Sequence, residues 1–201
     1  MDSLPNINVR LAAFVLGTVL LIVGLFLLWR WERRRRIRAA RLQAIIGCGF
    51  EHLRNVLVPD GQGGTLHVDF LLLTARGLVV IDLRDIEGNI FGGDQMNEWT
   101  VMDGSTRYTF ANPQTGLYDR VAAVRALAPD LPIEGRAVFT CSGQFPKGLP
   151  RHTLMLDSLA AEFPPSDRQS MAGLLERWMP GWRLIVQSVT PSRLSSPKAA
   201  I

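Results

Sequence analysis

Three charged residues stand inside two apolar runs of the stretch HVDFLLLTARGLVVIDLRD: Asp69 in the first run, Asp82 and Arg84 in the second. Charge inside an apolar strand is costly unless it is paired, bound to a metal or placed at a sheet edge. Asp82 and Arg84 are two apart, so on one strand their side chains share a face. With Ala75-Arg76 as a hairpin loop, Asp69 stands across from Asp82, and the two carboxylates converge beside Arg84. A register slip of one residue would send Asp69 to the other face. Two convergent carboxylates form an oxygen-rich site of the kind Mg²⁺ uses when it also holds a phosphate. A neighbouring cation then stabilises charge on the phosphate or orients water. The same residues also suit a plain ion pair in which Arg84 bridges the two acids and no site remains. Spacing alone leaves both readings open and favours the bridge, the commoner arrangement in strands.

The elements that must position these residues follow from periodicity. Thr65 to Thr74 and Gly77 to Arg84 have strand length and composition and are close enough for an antiparallel hairpin. A first strand is expected over His52 to Val58, stopped by the turn-rich PDGQGG that follows. A short strand at Asn89 to Phe91 and a hairpin of Glu98 to Met102 with Thr106 to Phe110 come next. After Asn112-Pro113 the period changes: Leu117, Val121, Val124 and Leu127 mark an amphipathic helix that Pro129 and its neighbours end. Arg136 to Thr140 reads as a buried strand and Thr153 to Leu156 as a short one. Ser166 to Gln169 has the form of a capping box, opening a helix that runs to Pro180. Arg183 to Val189 reads as a last strand. The expected fold is α/β, strands first, then a crossover helix, then further strands.

The stretch from Thr65 to Leu127 resembles the nuclease-related domain, a branch of the PD-(D/E)xK restriction-endonuclease-like fold. The resemblance rests on VDFLLL, on GLVVIDLRD with its terminal acid-x-base, on GNIFG, on Trp99-Thr100, and on Asn112-Pro113 heading a helix. It implies a mixed sheet with flanking helices and Mg²⁺-dependent hydrolysis of DNA. Asp69 and Asp82 are then the metal ligands, and Arg84 lies near the phosphate. The chain departs from the family pattern at several positions. Asp82 stands where the family usually has Glu, one methylene too short against the roughly 2.0–2.1 Å contacts Mg²⁺ demands. Arg84 stands where it usually has Lys, and an arginine does not give up its proton to act as a base. The family's helical Gly-Glu pair has no convincing counterpart, and Gly116 occupies the place of a Gln that follows the Asn-Pro. These departures leave a second reading beside the nuclease: a catalytically inactive domain that binds nucleic acid or a protein partner.

The rest of the chain says where such a domain works. Leu11 to Trp29 is an unbroken uncharged run of 19 residues, about 28 Å as a helix at roughly 1.5 Å per residue, which matches a hydrocarbon core of about 30 Å. It is longer than a signal-peptide core, and no small-x-small cleavage site follows it. Trp29 and Trp31 suit the interfacial belt, and Arg30 to Arg41 carries seven Arg against one Glu. A single-pass anchor in the inner (cell) membrane is expected, its N-terminus outside and its C-terminal domain cytoplasmic.

The net charge is +4, the arginine segment alone contributes +6, and residues 1–29 sum to zero, so residues 42–201 carry −2. The body is therefore no general polyanion binder, and contact with DNA is either local or made by the arginine run. Cys48 and Cys141 form no CxxC or Cys/His cluster, which argues against zinc and suits a reducing compartment. His52, His67 and His152 are scattered and read as structural. The expected organisation is a short flank (1–10), a transmembrane helix (11–29), a basic juxtamembrane helix (30–46), the nuclease-related domain (47–190) and a disordered tail (191–201). The expected partners are the lipid bilayer, DNA and a protein that the sequence does not identify.

Overall fold

The computed structural model describes residues 5–169 and 171–192. Two compact units divide the chain, residues 1–42 and residues 43–201. The first is helical. Helix α1 (Pro5–Ile46) opens with proline, whose missing N–H is no loss there, and contains no other. Within it Leu11–Ile46 is long and apolar enough to cross a membrane, with a mean hydropathy of 2.9 in its most apolar stretch. The arginine segment stays helical. Arg33 lies over the Trp29 ring at 5.5 Å and Arg35 over Trp31 at 5.6 Å, contacts that neighbouring turns of a helix allow.

The second unit is mixed α/β, as expected, with two mixed sheets. β1 (Glu51–Pro59), β2 (Thr65–Thr74) and β3 (Gly77–Arg84) form an antiparallel meander. The β2–β3 turn is the two-residue Ala75-Arg76, closed by Thr74 opposite Gly77. Gly77 has φ 118°, and a Cβ there would lie 2.4 Å from the Pro132 carbonyl oxygen, so only glycine fits. β4 (Gly88–Phe91), β5 (Glu98–Asp103) and β6 (Thr106–Ala111) begin a second sheet. Helix α2 (Pro113–Leu127) then returns the chain to β7 (Ile133–Phe139), which lies parallel to β3. β8 (Gly143–Gln144) and β9 (Thr153–Met155) follow, then a 3₁₀ turn (Leu156–Ser158), α3 (Leu159–Glu162), α4 (Ala172–Ser188) and β10 (Thr190–Pro191). The larger sheet has the order β10-β1-β2-β3-β7-β9 and the smaller β6-β5-β4-β8.

The C-terminal part departs from the sequence expectation. Ser166 caps no helix; its hydroxyl donates to the Pro164 carbonyl, and α4 starts only at Ala172. The helix then continues through Pro180 and takes up Arg183 to Ser188, the segment expected as a strand. Leu175, Trp178, Trp182 and Ile185 explain this: their spacings of 3, 4 and 3 make one face, and all four are buried. Burying large side chains of this kind is worth roughly 1.5–3 kcal/mol each, enough to carry the helix past the about 3 kcal/mol cost of an interior proline. The last strand is β10 instead. Pro191, expected to begin a disordered tail, pairs with Val56, and Ser192 N–H donates to the Asn55 carbonyl at 2.7 Å. The remainder of that tail, 193–201, lies outside the described residues.

The core lies between the larger sheet and the helices. Leu71 and Leu73 of β2 and Leu78 and Val80 of β3 belong to one apolar cluster with Leu117 and Val124 of α2. The β2–β3 register puts these strand residues on one face. Continued along the strands, the same face carries Asp69 and Asp82.

Candidate functional site

The last β2–β3 pair is Phe70 opposite Ile81, which aligns Asp69 with Asp82 one step further on. There the ladder gives way to a side-chain bond, as Leu83 N–H donates to Asp69 Oδ2 at 2.8 Å. The acids are buried, Asp69 being 5% and Asp82 4% exposed. Arg84 Nη2 donates to Asp82 Oδ2 at 2.7 Å, a charge-assisted bond of the strong class. On its other edge β3 is held by β7, where Thr140 N–H donates to the Arg84 carbonyl at 3.0 Å. The three residues singled out in the sequence therefore come together.

Two participants were not singled out. Arg120 of α2 places Nη1 3.6 Å from the same Asp82 Oδ2, and its Nε donates to the His67 carbonyl oxygen. His67 Nδ1 stands 3.6 Å from Asp69 Oδ1, which puts this histidine beside the acid pair. Gly116 explains how Arg120 gets there. It lies one helical turn before Arg120, and a Cβ at that position would sit 2.9 Å from Arg120 Nη1. The available signal was the i,i+4 pair of a glycine and an arginine at the place of the family's Gln.

The start of α2, and with it Arg120, is fixed by a polar network. Asn112 caps the helix, its Oδ1 accepting from Gln114 N–H at 2.9 Å. Gln114 Nε2 donates to Asp94 Oδ1 at 3.0 Å and to the Arg151 carbonyl at 2.6 Å. Asp94 Oδ1 also accepts from Arg151 N–H at 2.9 Å. The Gln114 side chain, then the Arg151 backbone, hold the Asp94 carboxyl below its ordinary pKa.

Two carboxylates and two guanidiniums make a cluster of formal charge zero. An Mg²⁺ site needs uncompensated carboxylate oxygen, often one or two acids plus substrate phosphates. Here Asp82 Oδ2 already faces both arginines, and Asp69 Oδ2 takes a backbone N–H. Among the described residues no group of three or more His, Cys, Asp or Glu is arranged to hold a metal ion. The contacts present are those of an acid pair neutralised by guanidiniums. Beside it is a cleft of about 400 Å³, lined by Arg84 and Arg120 together with residues of β6 and the start of α2.

The nuclease-related domain family matches residues 30–140, more than half of the chain. The chain belongs to the nuclease-related domain family. An uncharacterized protein of Bacillus anthracis is 24% identical to it over 112 residues, covering 55% of this chain and 53% of that protein, so the chain spans about half the length of this curated relative. No solved structure matches. Within the nuclease-related domain the acid-x-base strand, its hairpin partner and the Asn-Pro helix occupy the places described above. The glycine at 116, which leaves room for Arg120, stands where the resemblance implies Gln.

Proposed function

We propose that the chain is a membrane-tethered nuclease-related domain that binds nucleic acid without hydrolysing it. The observation that carries this reading is the approach of both Arg84 and Arg120 to Asp82 Oδ2. It supports a site whose acids position cations, and whose cations in turn face a phosphate. In an active centre of the expected kind, the acids would hold a metal and the base would orient water. Here the acid is short, its oxygen is engaged, and arginine replaces the residue able to exchange a proton.

Anchoring in the inner membrane is part of the proposal and is supported by the apolar α1 span and the flanking tryptophans and arginines. Arginine retained on the cytoplasmic side puts the domain in the cytoplasm, with access to DNA. A protein partner at the membrane is the alternative occupant of the same role.

The test uses the full chain in lipid nanodiscs, with single- and double-stranded DNA and either Mg²⁺ or Mn²⁺. Binding without cleavage is expected, lost when Arg84 and Arg120 are both changed to Gln. Metal-dependent cleavage that disappears with Asp69→Ala would overturn the reading and establish a nuclease. Absence of any DNA binding would leave the protein-partner alternative in its place.

A further inference from the structure

The cleft beside the acid pair has two chemically different walls. One presents the guanidiniums of Arg84 and Arg120, whose side chains remain 29% and 21% exposed while they contact Asp82. Arg84 Nε makes no hydrogen bond among the described residues, and Arg120 Nη1 approaches Asp82 Oδ2 at 3.6 Å without making one, so the acids leave donor capacity on both arginines. The other wall is aromatic. Tyr108 and Phe110 are two apart on β6, hence on one face, and both residues line the cleft half-buried. Thr115, in the first turn of α2, adds a hydroxyl at its edge. A volume of about 400 Å³ lies within the roughly 300–1,000 Å³ of small-molecule sites. That is room for one nucleotide.

We propose that this cleft is a pocket for a single nucleotide unit, its phosphate on Arg84 and Arg120 and its base against Tyr108 and Phe110. This deepens the nucleic-acid reading above and rests on it. Arginine pairs suit phosphate because their planar donors match its oxygens. Aromatic faces suit any base, since every base has a π-face, so the pocket discriminates by size and charge rather than by sequence. Asp82, which both arginines face, holds the two like charges side by side in the free protein. The phosphate therefore finds them oriented at little further cost.

The unit comes either from a free mononucleotide or from a 5′-phosphorylated end of a single strand. The full chain is placed in nanodiscs of zwitterionic lipid, and binding of dAMP, inorganic phosphate, deoxyadenosine, a 5′-phosphorylated oligo(dA) and circular single-stranded DNA is measured by calorimetry at constant salt. The expected result is that dAMP binds at least tenfold tighter than phosphate or deoxyadenosine alone. Arg120→Ala should weaken dAMP and phosphate together, whereas Tyr108→Ala should weaken dAMP about tenfold and leave phosphate unchanged.

Gly116→Ala provides a variant that keeps both walls. Its methyl meets only the mobile end of Arg120, so the domain stays folded while the guanidinium is displaced and dAMP affinity falls severalfold. Oligo(dA) binding as tightly as dAMP identifies a strand end as the source, and oligo(dA) binding much more weakly identifies a free nucleotide. Equal affinity for dAMP and phosphate, or a Tyr108→Ala change without effect, would overturn the pocket. Circular DNA bound as tightly as dAMP would also overturn it, while sparing the broader nucleic-acid reading; no binding of any DNA and retained dAMP binding would sink the broader reading alone.

Discussion

Replacing Asp82 by Asn keeps the shape of a side chain that is 4% exposed and removes the charge that two arginines face. Breaking a buried ion pair from one side costs about 3–5 kcal/mol when the surviving charge is left dry. Arg84 and Arg120 are not dry. Their side chains are 29% and 21% exposed, so water at the cleft screens part of the loss. The charge-assisted bond from Arg84 at 2.7 Å is itself worth about 1.5–3 kcal/mol, and the 3.6 Å approach of Arg120 adds less. The expected destabilisation is about 2–3 kcal/mol, a fall in melting temperature on the order of 5–10 °C for a domain of this size. The assay is thermal unfolding of the full chain in nanodiscs, followed by tryptophan fluorescence, to which the buried Trp99, Trp178 and Trp182 contribute. Anion affinity should move the opposite way, because the cluster goes from formally neutral to +1. Inorganic phosphate should then bind more tightly and restore part of the lost melting temperature. A change below about 0.5 kcal/mol, the range of ordinary surface substitutions, would refute the argument, as would destabilisation that phosphate does not relieve.

Glu162 accepts from Arg136 Nη2 at 2.9 Å and from Arg76 Nη1 at 3.1 Å, and these arginines, Arg136 foremost, hold its carboxyl below the ordinary 4.5. Its folded-state pKa being depressed, its contribution to stability is present above pH 4.5 and is lost as pH falls through the lower folded value; Glu162→Gln should therefore lower stability near neutrality, leave it almost unchanged below the folded pKa, and so flatten the acid limb of a stability-against-pH curve. Gly92→Ala should destabilise strongly, by roughly 1–3 kcal/mol, because the new Cβ would lie 2.3 Å from Cδ2 of a Trp99 ring that packs against Phe139, Phe110 and Phe145; an unchanged melting temperature would contradict the packing. Cys141 is exposed and Cys48 buried, so in intact cells an impermeant thiol reagent should leave Cys141 unlabelled and label it after permeabilisation; labelling of intact cells would reverse the proposed orientation.

Much of the fold was legible in the sequence because its determinants are local. A long uncharged run needs no partner to be a helix, and a two-residue turn followed by glycine fixes hairpin register, which alone sets Asp69 across from Asp82. The change from period two to the spacing of Leu117, Val121, Val124 and Leu127 located α2 in the same way. Other features depended on contacts between segments remote in the chain. Pro180 reads locally as a stop; only the apolar surface under Trp178 and Trp182 outweighs it and extends α4 to Ser188. Thr190–Pro191 has no strand character until β1 offers an edge.

At the site the division is the same. The sequence by itself determined that two acids and Arg84 share a strand face, since that follows from periodicity and register. That Asp82 faces a second arginine was decided only by the packing of α2 over the sheet, which carries Arg120 to within 3.6 Å of the carboxylate. Burial makes this decisive, because a carboxylate removed from water is neutralised by whichever cation the fold delivers to it. Here the fold delivers two guanidiniums, and Gly116 leaves room for the second.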